Sequence, residues 1–311
     1  MMQKTNIVHW VRFALTGLGM VLNVIVLPTV LMLTALLRAI PIRPLQTFSQ
    51  HLAIGIAQTW IAINSALFRW FLPTKMTSNV PDTVQANRSY LVVSNHQSWV
   101  DIVVLQAIFN RKAPFFRFFL KRELIYVPIM GLAWWVLDFP FMRRLTKEQI
   151  AKNPELKNID KQETIRRMQK FKDVPVGIMV FLEGTRFTQA KHDKQQSPYQ
   201  HLLKPRAAGA AYALSVLSDK LDQVIDATIS YPHGVPTFVA FLMGKCPEIH
   251  VDVKVRPIPL TLRQGDYETN KAFRVEFQNW INGVWQEKDA QLTEIAAHST
   301  PINGNANIVN H

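Results

Sequence analysis

The hydrophobic pattern of this chain begins with two long apolar runs and only then settles into the shorter alternation of a folded domain. From Phe13 to Leu37 no residue is charged, and a helix of that length covers the roughly 30 Å of a bilayer's hydrocarbon layer. The run is too long for the apolar part of a cleaved signal peptide, and the exit Leu37-Arg38-Ala39-Ile40-Pro41 has no small-residue cleavage pattern, so an uncleaved anchor is expected. Pro28 removes a helix hydrogen bond in mid-segment and predicts a bent or re-entrant helix unless its neighbours compensate. A second uncharged run, Leu52 to Phe68, follows Pro41 and Pro44 but carries Gln58, Thr59, Asn64 and Ser65, which makes it marginal as a full span. Two arrangements stay open: a spanning hairpin, or two helices in one leaflet with Trp60 and Trp70 at the interface. Arg12, Arg38, Arg43 and Arg69 flank the runs on every side and select no orientation. Either arrangement leaves the remaining chain on one face of a membrane.

Past Pro73 the hydropathy falls, and Asn79-Val80-Pro81-Asp82 reads as a linker into a folded domain. Tyr90–Ser94 and Val176–Phe181 are short β-branched runs expected to be buried strands, as are Val224–Ser230 and His250–Val255. Helical patterns fall between them, at Ser98–Phe109 and at the Ala-rich Arg206–Leu217. Strands alternating with helices define an α/β domain. The expected organisation is an anchor over residues 1–72, a catalytic domain over 73–298 and a polar tail over 299–311. The Lys-rich stretch from Arg143 to Lys172, with a helix near Lys161–Lys172, reads as a surface insertion.

A formal charge of +13 asks for an anionic partner, either nucleic acid or an acidic lipid surface. Composition does not choose between them, but the apolar N-terminal segments favour lipid, and no nucleic acid is expected. The single Cys246 excludes an intramolecular disulfide framework and reads as a small packed side chain.

The segment Ser94–Asp101, SNHQSWVD, lies where a strand ends and a helix begins. Five residues apart on one helix, His96 and Asp101 would point about 140° away from each other. They can meet only if His96 precedes the helix and Asp101 lies in its first turns. A carboxylate on one imidazole nitrogen fixes the tautomer and leaves the other nitrogen as a base able to deprotonate an alcohol. Ser98 is better explained as part of a helix cap than as a nucleophile. After the Val176–Phe181 strand the chain reads FLEGTRF, placing Glu183, Gly184, Thr185 and Arg186 at the end of the sheet where open α/β folds bind ligands. Gly184 permits close backbone approach, Thr185 offers a hydroxyl, and Arg186 a planar fork for phosphate oxygens. A third stretch, LKRELIYVPIMGLAWWVLDFPFMRR, sets Lys121-Arg122 and Arg143-Arg144 around an apolar segment, which suits an anionic head with an acyl tail as well as it suits a core helix with basic ends.

NHQSWVD, then KRELIYVPIMG, then EGTRF resemble, in that order, the motifs of the glycerolipid acyltransferase family typified by 1-acylglycerol-3-phosphate acyltransferases, over roughly Tyr90 to Pro232. RFTQAKH and SPYQHLLKPRAAGAAYAL are similar to a YihG-like branch that also contains lysocardiolipin and lysophosphatidylinositol acyltransferases. The resemblance implies an α/β catalytic domain behind a two-helix membrane segment, with His96 and Asp101 catalytic. It assigns Lys121, Glu183, Gly184, Thr185 and Arg186 to holding the acceptor phosphate, with Arg143 as a further candidate. Leu182 stands where many members have Pro, and Met142 where many have Asp before the Arg. The implied reaction moves an acyl group from acyl-CoA or acyl carrier protein to the hydroxyl of lysophosphatidic acid or another lysophospholipid. It needs no metal or redox cofactor, and its expected setting is a bacterial cytoplasmic membrane with the catalytic domain on the cytoplasmic face. The rival readings are a non-catalytic acidic-lipid or nucleic-acid binder and a lipid hydrolase. The latter is disfavoured because no Gly-x-Ser-x-Gly elbow occurs.

Overall fold

Two antiparallel helices and a mixed sheet organise the chain in the computed structural model, which describes residues 2–142, 162, 165, 166, 168, 169, 171, 174–267 and 269–298. Helix α1 (Met2–Ala39) passes through Pro28 without interruption. Helix α2 (Arg43–Phe71) begins with Pro44 in its first turn, where a missing N–H costs nothing. Of the polar residues in the second run, Asn64 faces the partner helix, while Thr59 and Ser65 bond carbonyls one turn back in α2. Asn23 Nδ2 donates to Asn64 Oδ1 (2.8 Å) and to the Trp60 carbonyl (2.9 Å), and Ser49 Oγ donates to the Thr34 carbonyl (2.6 Å). The opposite face of α1 leaves Leu18, Val21, Leu22, Val26, Leu33 and Leu36 exposed.

The domain begins earlier than its apparent linker. Strand β1 (Lys75–Ser78) precedes Asn79 and pairs in parallel with β8 (Glu248–Pro257). The sheet order is β1-β8-β7-β2-β6-β3, with β2 (Tyr90–Ser94), β3 (Phe116–Phe118), β6 (Gly177–Phe181) and β7 (Gln223–Ser230). The four strands from β7 to β3 are mutually parallel, and β8 runs antiparallel to β7. All five residues of β2 are buried, as expected of a central parallel strand covered on both faces, which explains its unbroken YLVVS run. In β8 the alternation of buried Ile249, Val251 and Val253 with more exposed neighbours marks a strand with one dry face.

Helix α3 (Val100–Phe109) covers one face with Val100, Val104, Leu105 and Phe109. The other face is covered by α6 (Ala208–Leu217) and the long C-terminal α9 (Lys271–His298); between β6 and α6 lies the short α5 (Gln189–Gln195). Helix α9 buries Phe273, Phe277, Ile281, Trp285 and Leu292 along one stripe. Lys288 lies fully buried in that stripe, its Nζ 2.7 Å from Asp226 Oδ1 and bonded to the Ala227 carbonyl and Thr228 Oγ1. Two short helices complete this half, α7 (Phe238–Leu242) after β7 and α8 (Leu260–Arg263) after β8.

The stretch that could have been one core helix is divided: β4 (Leu120–Lys121), a 3-10 turn (Arg122–Tyr126), α4 (Met130–Val136) and β5 (Phe141–Met142), with β4 and β5 forming a separate two-stranded parallel sheet. Gly131 lets the turn close, since a Cβ there would come within 2.1 Å of the Ile125 carbonyl oxygen. Ala133, Val136, Leu137 and Phe139 pack with Leu31, Ala53, Ala57 and Ile61 of the hairpin. Arg143, most of the expected insertion up to Lys172, and the Ser299–His311 tail lie outside the described residues.

Candidate active site

The parallel register brings three chain segments to one edge. Ser94 of β2 is level with Phe181 of β6 and Ala227 of β7, so His96, Glu183 and Tyr231 all emerge just past the carboxyl ends of neighbouring strands. The β2–α3 connection turns sharply here. Asn95 spans it by bonding the β7 backbone as a strand would, Nδ2 to the Ile229 carbonyl at 2.9 Å and Oδ1 from the Ile229 N–H at 2.8 Å. His96 therefore precedes α3, and Asp101 is the second residue of its first turn.

In that position the two side chains meet, His96 Nδ1 lying 2.8 Å from Asp101 Oδ2. The same Oδ2 accepts the backbone N–H of Gln97 (2.6 Å) and Ser98 (2.9 Å), while Oδ1 accepts the Tyr231 hydroxyl (2.5 Å). Four donors on a fully buried carboxylate leave it no freedom to turn. Nδ1 thus carries the proton toward Asp101, and among the described residues Nε2 has no hydrogen-bond partner. The imidazole stacks on Phe181 at 4.0 Å and 16°. Ser98 is occupied otherwise: its Oγ donates to the Pro236 carbonyl (2.6 Å) and accepts the Val100 N–H (3.2 Å), in keeping with a capping role.

Glu183 is placed differently from the other members of its motif. It is fully buried, with Oε1 accepting the His96 N–H (2.7 Å) and Oε2 the Leu203 N–H (3.0 Å). Burial pushes its carboxyl up to about 7, against the two N–H bonds that favour the charged form. It acts on the His96 backbone and turns no oxygen toward the surface. Gly184 adopts φ +68°, where glycine pays no Cβ penalty, and a Cβ would press against Arg206. Thr185 Oγ1 accepts from Lys191 Nζ (2.9 Å), which also bonds the Arg186 carbonyl. Arg186 is exposed, with its guanidinium 5.0 Å from the centre of the exposed Trp99 ring. The Phe187 N–H donates to the His96 carbonyl at 2.7 Å and ties the two motif loops together. Lys121 ends β4 with its side chain exposed, and among the described residues no hydrogen bond or ion pair joins it to His96 or to the Glu183–Arg186 loop.

Sequence reasoning missed Tyr231, Asn95 and the stacking Phe181. Tyr231 had a usable signal, being the first residue beyond a strand, β7, that pairs with the strand leading into His96. Burial and the adjacent Asp101 charge raise its hydroxyl well above the ordinary range, so it remains a donor at neutral pH. Tyr231→Phe removes a charge-assisted bond while keeping the ring. A loss of roughly 1.5–3 kcal/mol of alignment is expected to lower turnover about tenfold or more, checked by steady-state kinetics.

Fold and site together define a chain of a recognisable class: the family model described as Acyltransferase matches residues 75–231, and the chain belongs to that family. Among its relatives, 1-acyl-sn-glycerol-3-phosphate acyltransferase delta of Mus musculus is 28% identical over 213 residues, which cover 64% of this chain and 51% of that protein. The gamma enzyme of Mus musculus is 29% identical over 181 residues, covering 55% and 43% respectively. This chain thus spans about half the length of the curated relatives it matches. The crystal structure of PlsC, the 1-acyl-sn-glycerophosphate (LPA) acyltransferase from Thermotoga maritima, aligns with 86% of this chain and 98% of its own, at 17% identity and a TM-score of 0.47.

Proposed function

We propose that this protein is a membrane-bound O-acyltransferase that moves an acyl group from a thioester carrier to the free hydroxyl of lysophosphatidic acid, giving phosphatidic acid. The observation that carries this reading is the His96–Asp101 dyad, whose second nitrogen has no partner among the described residues, on a loop that the Phe187 N–H ties to the loop of the exposed Arg186. Nε2 takes the proton of the acceptor hydroxyl as the oxygen attacks the thioester carbonyl. The resulting tetrahedral centre collapses, the C–S bond breaks, and the departing sulfur recovers the proton from Nε2. The acyl group thus passes directly to the lipid without an enzyme nucleophile. Acyl-CoA and acyl carrier protein are both anionic donors suited to a basic protein.

Arg186 is assigned to the acceptor phosphate. Arg186→Ala is expected to raise the acceptor KM by roughly tenfold or more while Arg186→Lys recovers only part, because a point charge does not reproduce the planar fork. Kinetics with varied lysophosphatidic acid at saturating donor check this. Lys121 and Arg143 are further candidates for the same phosphate.

The hairpin is assigned to a membrane, in one leaflet. His9 Nδ1 contacts the Met243 carbonyl near one end of α1, while Arg38 at the other end pairs with Asp138. These points lie about 43 Å apart along a helix, more than the roughly 30 Å hydrocarbon layer. A domain that touches both ends cannot remain on one side of a perpendicular span, which supports a placement of α1 along the domain with its outer face toward lipid. A cytoplasmic membrane face is the proposed setting. The whole reading is tested by supplying detergent-purified protein with lysophospholipids of different head groups and either carrier, with products read by mass spectrometry. Phosphatidic acid as the main product supports the reading, a different phospholipid moves it to remodelling, and no product with any pair leaves a lipid-binding role.

A further inference from the structure

Between the anchor and the dyad runs a connected set of side chains that the reaction as described leaves without a role. Arg38, in the last turn of α1, sends Nη1 to Asp138 Oδ2 at 2.6 Å and to the Val136 carbonyl at 3.1 Å. Asp138 is 2% exposed and sits at φ +60°, a region that residues other than glycine enter at a cost. The fully buried Arg117 of β3 also reaches this turn, donating Nε to the Leu137 carbonyl at 2.8 Å. Burial lowers this guanidinium to about 10, against the pull of the Asp138 charge, and it stays protonated at neutral pH. Three consecutive residues, Val136 to Asp138, are therefore gripped by two arginines, one of which belongs to the anchor.

The next residue starts a tier of nearly parallel rings. Phe139 and Phe118 lie 6.3 Å apart at 17°, Phe118 and Phe181 6.2 Å apart at 17°, and Phe181 and His96 4.0 Å apart at 16°. The Asp101 bond fixes one point of the imidazole but leaves its plane to be set by what lies against its face. In an interior packed at crystal-like density, displacing one ring displaces the next.

We propose that Arg38 and Asp138 are positioning residues for acyl transfer: by holding the turn before Phe139 they fix, through Phe118 and Phe181, the plane of the His96 ring and the line along which Nε2 meets the acceptor hydroxyl. This rests on the acyl-transfer reading above. Seating the anchor helix then aligns the base, and a lost contact at Arg38 is felt at His96 without any change in the residues that touch substrate.

The test uses the full chain in detergent micelles, labelled with 15N-histidine, as wild type, Arg38→Met, Arg38→Lys and Phe118→Leu, each shown folded by near-UV circular dichroism. Phe118→Leu interrupts the tier without touching the ion pair, so it stands if Arg38→Met folds poorly. Expected are a kcat lowered roughly tenfold to 10²-fold in Arg38→Met and Phe118→Leu, an unchanged acceptor KM, substantial recovery in Arg38→Lys, and a shifted His96 Nδ1–H resonance in the two impaired variants. Wild-type kcat, a raised KM with kcat retained, or an unmoved resonance in folded Arg38→Met and Phe118→Leu overturns the proposal. If wild type transfers no acyl group, the functional reading fails separately, and the resonance alone then decides whether the anchor sets the His96 ring.

Discussion

His96→Ala is expected to lose about 10²–10⁴ of the turnover, the usual contribution of a placed proton-transfer group, while its melting temperature stays close to that of wild type. The second half of this expectation comes from the surroundings of Asp101. Without the imidazole, Asp101 still accepts from Gln97 N, Ser98 N and the Tyr231 hydroxyl, so the turn that opens α3 remains closed. Asp101→Asn behaves differently. An amide offers one acceptor oxygen to donors that the carboxylate served with two, and its NH2 group opposes whichever donors it faces. Activity and stability should therefore fall together in Asp101→Asn but separately in His96→Ala, a contrast that turnover and thermal unfolding measured on the same preparations will show. Equal turnover in His96→Ala and wild type would remove His96 from the chemistry.

The second large effect belongs to Glu183 and is one of pH. Its carboxyl titrates near 4.5 in an unfolded chain and is raised to about 7 in the fold, chiefly by burial. Between those values the folded protein holds a proton that the unfolded chain releases. This contribution is fully present below about pH 4.5 and is lost as pH rises toward 7, amounting to about 3 kcal/mol. Glu183→Gln cannot ionise and should lack this slope, so the stability difference between the two proteins changes across that window. The variant is also expected to be weaker throughout. A glutamine presents one carbonyl oxygen to the His96 and Leu203 N–H groups, and leaving one buried N–H unpaired costs roughly 1–3 kcal/mol. Denaturant unfolding of both proteins from pH 4.5 to 7.5 measures the difference, and parallel stability curves would contradict the assignment.

The central strands and α3 were legible because a buried parallel strand must be apolar throughout, as in YLVVS, and a covering helix must carry an apolar face. The dyad was legible for a geometric reason, since residues five apart cannot meet on one helix and the strand-to-helix junction supplied the needed turn. The placement of Glu183 was not, because an acid beside Gly, Thr and Arg in a loop looks like part of an anion site. Only the three-dimensional path of the chain shows that it faces the His96 and Leu203 amides. The broken stretch from β4 to β5 was obscured for another reason: Pro128, Gly131 and Pro140 punctuate an otherwise apolar run whose partners lie in the distant N-terminal helices. Helix α9 escaped because Lys288 interrupts its apolar stripe, and only Asp226, far away in sequence, explains a lysine there.

Direct acyl transfer to a lipid hydroxyl is tested by following both fates of one acyl group, using 13C-labelled acyl-CoA and acyl carrier protein with purified protein, in the presence and absence of lysophosphatidic acid. 13C-phosphatidic acid is expected when the acceptor is present, and little free fatty acid when it is absent. Labelled fatty acid released regardless of acceptor, with no labelled phospholipid, would make water the acceptor and contradict transfer to lipid.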